Sequence, residues 1–201
     1  MMDRKKIIEE YLFEGTPEEK KEKFEIAWDV RESFDSIRSG QSKTKVFEPL
    51  ASRIEKDLLE EPFKITYLDW GSVYVAKREW RQDEKDRGIY AICVEKWNRG
   101  WPTIGIVRNK PFTTDTEKQI GDILSRQNFR PTQWYLGYIP IPDWNYGDLR
   151  DYYRIVLLNP LEIVDFFFNY FKQVYEIVRK TPGLEQLLDR SVEERKAQVQ
   201  K

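Results

Sequence analysis

Apolar and polar positions alternate with two different periods along this chain, and the change of period divides it. In the amino-terminal region the spacing is helical. Ile7, Ile8, Tyr11 and Leu12 make a short amphipathic helix, and Gly15 supplies its stop. Thr16, Pro17, Glu18 and Glu19 then place a hydroxyl at an N-cap, a proline at the first helical position and a carboxylate three residues after the cap. The helix opened there carries Phe24, Ala27, Trp28, Phe34 and Ile37 along one face and is expected to end near Ser39 and Gly40. A polar loop over residues 41–45 follows. A third helix, from Pro49 through Ile54, Leu58 and Leu59 to Glu60, completes this region, with Pro62 closing it.

From Phe63 the period drops to two. Phe63, Ile65 and Tyr67 alternate with polar residues, and residues 73–80 are a second β-rich run beyond the turn-like Asp69, Trp70 and Gly71. After a charged loop over residues 81–88, residues 89–97 and 102–108 read as two more strands joined around Asn98, Arg99 and Gly100. Short links favour an antiparallel meander, because parallel neighbours need long crossovers. Thr114 to Glu117 repeats the capping box and opens a helix through Ile120, Ile123 and Leu124. The segment holding Trp134, Tyr135, Tyr138, Trp144 and Tyr146 is broken by Gly137, Pro140, Pro142 and Gly147, so it reads as an ordered aromatic loop with room for one short edge strand. Residues 152–158 are expected as the fifth strand.

Asn159, Pro160, Leu161 and Glu162 start a long helix, 161–181, whose Val164, Phe167, Phe168, Phe171, Val174, Tyr175 and Val178 should cover the sheet. Pro182 and Gly183 end it, Leu184, Leu187 and Leu188 form a last apolar turn or two, and a charged tail from Ser191 onward should fray. The prediction is an α+β fold: an antiparallel sheet of four to five strands with the amino-terminal helices and a long apolar carboxy-terminal helix packed on it. One domain over 1–201 is expected, with a helical N-terminal segment over 1–61, the sheet and one inserted helix over 62–158, helices over 159–190 and a tail over 191–201.

Composition narrows the chemistry. With 40% hydrophobic and 34% charged residues the chain can bury a core and keep a hydrated exterior. The 34 Lys and Arg against 35 Asp and Glu leave a net charge of -1, so binding to nucleic acid or anionic lipid needs a local patch. Histidine is absent and Cys93 is the only cysteine, which removes the imidazole-dependent triads, Cys-rich zinc sites and internal disulfides together. The charged first residues do not form a signal peptide, and Asp165, Asn169 and Lys172 interrupt the longest apolar helix, so the chain is expected to be cytoplasmic and off the membrane. Its Glu and Lys richness fits a thermophile.

The strand Gly88-Ile89-Tyr90-Ala91-Ile92-Cys93-Val94-Glu95 and the strand Trp101-Pro102-Thr103-Ile104-Gly105-Ile106-Val107-Arg108 carry a family likeness. With the Trp-containing segment after a short helix and the closing apolar helix, they resemble the C-terminal accessory region of some bacterial proteins of the PD-(D/E)XK nuclease superfamily, over roughly residues 20–188. That resemblance implies a module in a nucleic-acid or phage-defence context, with the nuclease motif in a preceding domain. The motif needs an acid on one strand and Glu-x-Lys on the next, so that two carboxylates hold a divalent ion beside a lysine. Asp69 with Glu95 and Lys96 comes nearest, but adjacent Glu and Lys point to opposite faces of a strand.

Binding candidates remain. Trp97, Arg99, Trp101, Arg108, Arg130, Trp134 and Trp144 could stack the bases of a single-stranded nucleic acid or a nucleotide, against the plainer reading that they pack core and rim. Phe166, Phe168 and Tyr170 add aromatics to more than one face of the 161–181 helix, so it is either sandwiched or an interface, self-association included. Cys93 reads as an inert core thiol, Glu95 and Lys96 as the solvated end of a strand, and the mixed charges at Lys20–Lys23 and Glu193–Lys196 as solvated helix faces. The function expected is a non-catalytic recognition or interaction module without metal or cofactor, its partner a protein or single-stranded nucleic acid. The alternative is a metal-dependent nuclease with a divergent carboxylate site drawn from Asp69, Glu79 and Glu95.

Overall fold

In the computed structural model, which describes residues 4–81, 89–96, 102–108, 114–141 and 149–199, both periods become elements. The chain divides into two units, Met1–Gly40 and Gln41–Lys201. The first holds α1 (Arg4–Phe13) and most of α2 (Pro17–Ser42). Gly15 turns the chain between them at φ +108, a conformation closed to most side chains. The cap closes in both directions, with Glu19 N–H on Thr16 Oγ1 at 3.3 Å and Thr16 N–H on the Glu19 carboxylate at 2.8 Å.

α2 does not stop at Gly40. It runs to Ser42, and the expected polar loop is instead a π-helical turn, Lys43–Phe47, leading straight into α3 (Glu48–Asp57). A mid-helix glycine costs about 1 kcal/mol relative to alanine and need not end a helix. Pro49 has no N–H to offer the preceding turn, and the wider π turn, in which Glu48 N–H reaches the Lys43 carbonyl, accommodates it. Val46 and Phe47 are fully buried in that turn, so packing holds the helical path.

β1 (Phe63–Leu68), β2 (Ser72–Lys77), β3 (Tyr90–Lys96), β4 (Pro102–Arg108) and β5 (Tyr135–Ile139) form one antiparallel sheet in chain order. β2 is shorter than predicted, because Arg78–Trp80 closes into a 3-10 turn. The fifth strand is the short one inside the aromatic segment. Residues 152–158, predicted as a strand, belong to helix α5 (Leu149–Leu158). There Tyr152 and Val156, four residues apart, are buried while Leu157 and Leu158 are exposed, which is a helical pattern written in residues of high strand propensity.

The sheet has two different faces. One rung, Ile65, Val75, Ile92, Ile106 and Gly137, is aliphatic and lies toward the helices. The other, Tyr67, Tyr74, Cys93, Gly105 and Tyr138, is aromatic at its ends and small at its centre. Tyr67 joins it through a register shift between Ile65 and Tyr67. On the aliphatic face lie α4 (Asp115–Ser125) and α6 (Pro160–Lys180), the latter burying Val164, Phe167, Phe171, Val174 and Val178 as its spacing predicts.

The carboxy-terminal segment is α7 (Leu184–Val199), not a frayed tail. Ser191 and Val192 are buried, and Ser191 Oγ lies 2.7 Å from Tyr90 Oη inside the core. Tyr90 also donates to Glu117 at 2.6 Å, and Thr116 donates to Glu194 at 2.7 Å, so polar bonds tie α7 to β3 and α4. Composition hides this, since the bonding groups are the very residues that look solvated. Among the described residues no helix is long and apolar enough to cross a membrane.

Candidate functional site

Three places were open to function from the sequence: the carboxylates near β3, the basic and aromatic residues, and the apolar helix faces. At the first, the β1–β2 turn is held by Asp69, which accepts the Gly71 N–H at 2.8 Å and the Tyr67 hydroxyl at 2.8 Å. Ser72 pairs with Glu95, so the turn delivers Asp69 beside the Glu95 side chain. Tyr135 Oη donates to Glu95. Burial first, then the negative charge of Asp69, pushes the Glu95 carboxyl up to about 7. Glu79 stands apart, beyond the far end of β2, with its carbonyl accepting from Lys196 at 2.6 Å. Among the described residues no three His, Cys, Asp or Glu side chains gather where they could hold a metal ion.

The adjacent pair does not form the solvated strand end expected of it. Glu95 is only partly exposed on the tyrosine face. Lys96 is buried on the opposite face, its ammonium 3.5 Å from the ring centre of Tyr152 and 4.7 Å from that of Tyr153. The parity shared by Tyr90, Ile92, Val94 and Lys96 was the available signal. Lys77 repeats the pattern after Val73 and Val75: it is buried against Asp189 and Glu185 at 2.8 and 2.6 Å, and Trp80 donates to the same Asp189.

Of the basic and aromatic candidates, Trp97, Arg99, Trp101 and Trp144 lie outside the described residues. Arg108 and Trp134 meet at the start of β5, and Arg130 lies at its other end, paired with Tyr138. Arg108 bonds the Glu117 carboxylate at 3.0 Å and the carbonyls of Gln133 and Thr132 at 3.0 and 2.8 Å, so its fork ties β4 to α4 and the β5 approach. Trp134 is exposed, and its carbonyl accepts from the Arg108 N–H at 2.9 Å. Arg130 is exposed and bridges Tyr138 through its backbone, beside an open hollow of about 700 Å³ lined by Asn128, Phe129, Ile139, Pro140 and Ile141. The Thr114 capping box is half made. Glu117 N–H bonds Thr114 Oγ1, but the Glu117 carboxylate turns inward to Tyr90 and Arg108.

On α6 the three interface candidates are covered to different degrees. Phe168 is buried, with the Arg53 guanidinium 4.0 Å above its ring and Arg53 paired to Asp165. Phe166 and Tyr170 are half-buried, their rings 4.9 Å apart. Cys93 is fully buried, and burial pushes its thiol up to about 12, as an inert core residue requires.

The apolar surface lies elsewhere. Of the fourteen large apolar side chains left exposed among the described residues, ten belong to the amino-terminal unit. On α1 they are Ile7, Ile8, Tyr11 and Phe13, and on α2 Phe24, Ile26, Trp28, Val30, Phe34 and Ile37, with exposures from 40 to 68%. Phe24 and Trp28 stack one turn apart at 6.2 Å, and Lys23, Arg31 and Arg38 lie over the rings of Tyr11, Trp28 and Phe34. The sequence reads Phe24, Trp28, Phe34 and Ile37 as a face to be buried, and all four are exposed, as are Ile26 and Val30 on another side of the helix. No protein-family model, no curated protein and no solved structure matches this chain.

Proposed function

We propose that this protein is a non-catalytic interaction module, an α+β body that carries its contact surface on the amino-terminal helical unit. One observation carries the reading: ten large apolar side chains of Met1–Gly40 stay exposed on two consecutive helices. Scattered single exposed apolar residues are ordinary, but a concentration of this kind on one unit marks a surface that meets another molecule. Charge favours a protein as that molecule. The unit has eleven Asp and Glu against eight Lys and Arg, a net charge of −3, which repels phosphate backbones and anionic headgroups. The test is binding of an apolar fluorescent dye to the intact chain. The wild type should bind it, and the Phe24→Glu, Trp28→Glu double variant should lose most of the signal with unchanged circular dichroism. A wild type that leaves the dye dark, or variants that light it equally, would dismiss the reading.

A second reading, hydrolytic chemistry at the Asp69 and Glu95 pair, has one supporting observation. A carboxyl raised to about 7 is poised to exchange protons at neutral pH. It predicts cleavage of DNA or RNA with manganese that Glu95→Gln removes, and it fails if the wild type leaves both intact.

A further inference from the structure

We infer that the hollow beside Arg130 is a binding site for a small organic acid, with Arg130 holding the carboxylate and Phe129, Ile139, Pro140 and Ile141 taking the apolar body. It belongs to the second unit and does not depend on the contact surface proposed for the first. Its origin is a β-ladder that stops. Arg130 and Tyr138 exchange both backbone bonds, at 2.9 and 3.0 Å, and the next rung in that register would set Asn128 against Pro140. Pro140 has no N–H to give. The Asn128 N–H is spent on the Ser125 carbonyl at 3.1 Å, with Asn128 itself at φ +63 where the chain leaves α4. The two segments therefore part, and a hollow of about 700 Å³, lined by residues of both, opens there. Its floor is firm: Phe129 is 4% exposed and packs so closely on Gly137 that a methyl group there would fall 2.8 Å from Phe129 Cβ.

Size and lining suit a small molecule. Ligand pockets measure about 300–1,000 Å³ and combine mostly apolar walls with a few polar groups that fix orientation. Here four of the six lining residues are apolar, and the polar two, Asn128 and Arg130, belong to the same segment. Charge selects the occupant. Residues 123–142 contain no Asp or Glu, and among the described residues no carboxylate pairs with the Arg130 guanidinium. Arg130 holds Tyr138 through its backbone alone, which leaves the side chain to a ligand. Its planar fork and single positive charge match a carboxylate in both geometry and charge. A phosphate monoester would bring about −1.5 to −2 to a lining with one cation. The apolar walls then call for a body without charge of its own.

The experiment titrates naphthoate into the full chain and reads backbone amide shifts by NMR, with naphthamide and acetate as comparisons. Naphthoate should move the amides of Phe129, Arg130, Ile139 and Ile141 and saturate with a Kd of about 1 mM or below, the range a ligand of that size reaches. The uncharged naphthamide and the bodiless acetate should each bind about 10-fold more weakly or worse. Arg130→Gln should weaken naphthoate by about 10-fold or more and leave naphthamide unchanged, so that acid and amide bind alike. Arg130→Lys, which keeps the charge without the fork, should fall between. Arg126→Gln, on an exposed arginine outside the hollow, should change neither ligand. Circular dichroism should show these exposed positions leaving the fold intact. Naphthoate that moves no amide of the hollow overturns the inference, as does binding indifferent to Arg130→Gln or equally tight for acid and amide. Shifts confined to residues 4–40 would assign the naphthoate to the exposed apolar side chains of the first unit, which overturns this site and leaves the reading of that unit standing.

Discussion

At the scale of single residues, the polar groups that matter in this protein are those the fold has taken out of water. Glu95 titrates near 7 in the folded chain and near its ordinary value of 4.5 once unfolded. A carboxyl whose folded pKa is raised contributes its full stability below the unfolded pKa, and that contribution is lost as the pH climbs from about 4.5 to about 7. Glu95→Gln cannot ionise and still accepts from Tyr135. We expect it to match the wild type at pH 4 and to exceed it at pH 8 by up to about 3 kcal/mol in urea unfolding. A variant whose advantage does not grow over that window would show that Glu95 is not held protonated. Glu117 matters through its partners. It is buried between Tyr90 and Arg108, so Glu117→Ala strands a guanidinium and should cost on the order of 3 kcal/mol by the same measurement. Neither role was legible beforehand. Glu117 sits where a capping box wants it, and only the strand beneath α4 supplies the stronger partners.

Elements were legible where one period was long and clean. The meander from β1 to β4 and the helix α6 follow from alternation and from the spacing of Phe167, Phe171, Val174 and Val178. The failures have a common cause, which is that local residue preference was outweighed by what lay opposite. Residues 152–158 look like a strand until Tyr152 is seen against Lys96 and Ser42, which lies 3.0 Å from its hydroxyl. Ser191 onward looks like a tail until Tyr90 is seen to meet it. β5 was legible only as a possibility because Gly137 and the prolines argue for a loop. The pairing it makes depends on close approach, and a methyl group on Gly105 would fall 2.3 Å from the Gly137 carbonyl oxygen and 2.6 Å from Tyr138 Cα. Gly105→Ala should therefore prise β5 from β4 and lower stability by about 1–3 kcal/mol, read by chemical unfolding, with the loss of amide protection confined first to Tyr135–Ile139.

For the molecule as a whole, the division at Gly40 separates a body with a full core from a helical unit that leaves ten large apolar side chains exposed. Sequence periodicity marked Phe24, Trp28, Phe34 and Ile37 but not their exposure, because helical spacing reads the same whether a side chain is covered or open. The net charge of -1 also conceals an asymmetry: the first unit carries −3 and the remainder +2.

The buried thiol at the centre of the tyrosine rung offers a clock. Cys93 is the only sulfhydryl in the chain, has no exposed surface and is held at about 12, so a thiol reagent at mildly alkaline pH finds almost no reactive form in the closed sheet. Labelling waits for the strands to part, and its rate divided by that of a free peptide thiol gives the fraction of time they stand open. A stopped reaction and a mass spectrum thus gauge the integrity of the body without denaturant, in dilute solution or inside a living cell.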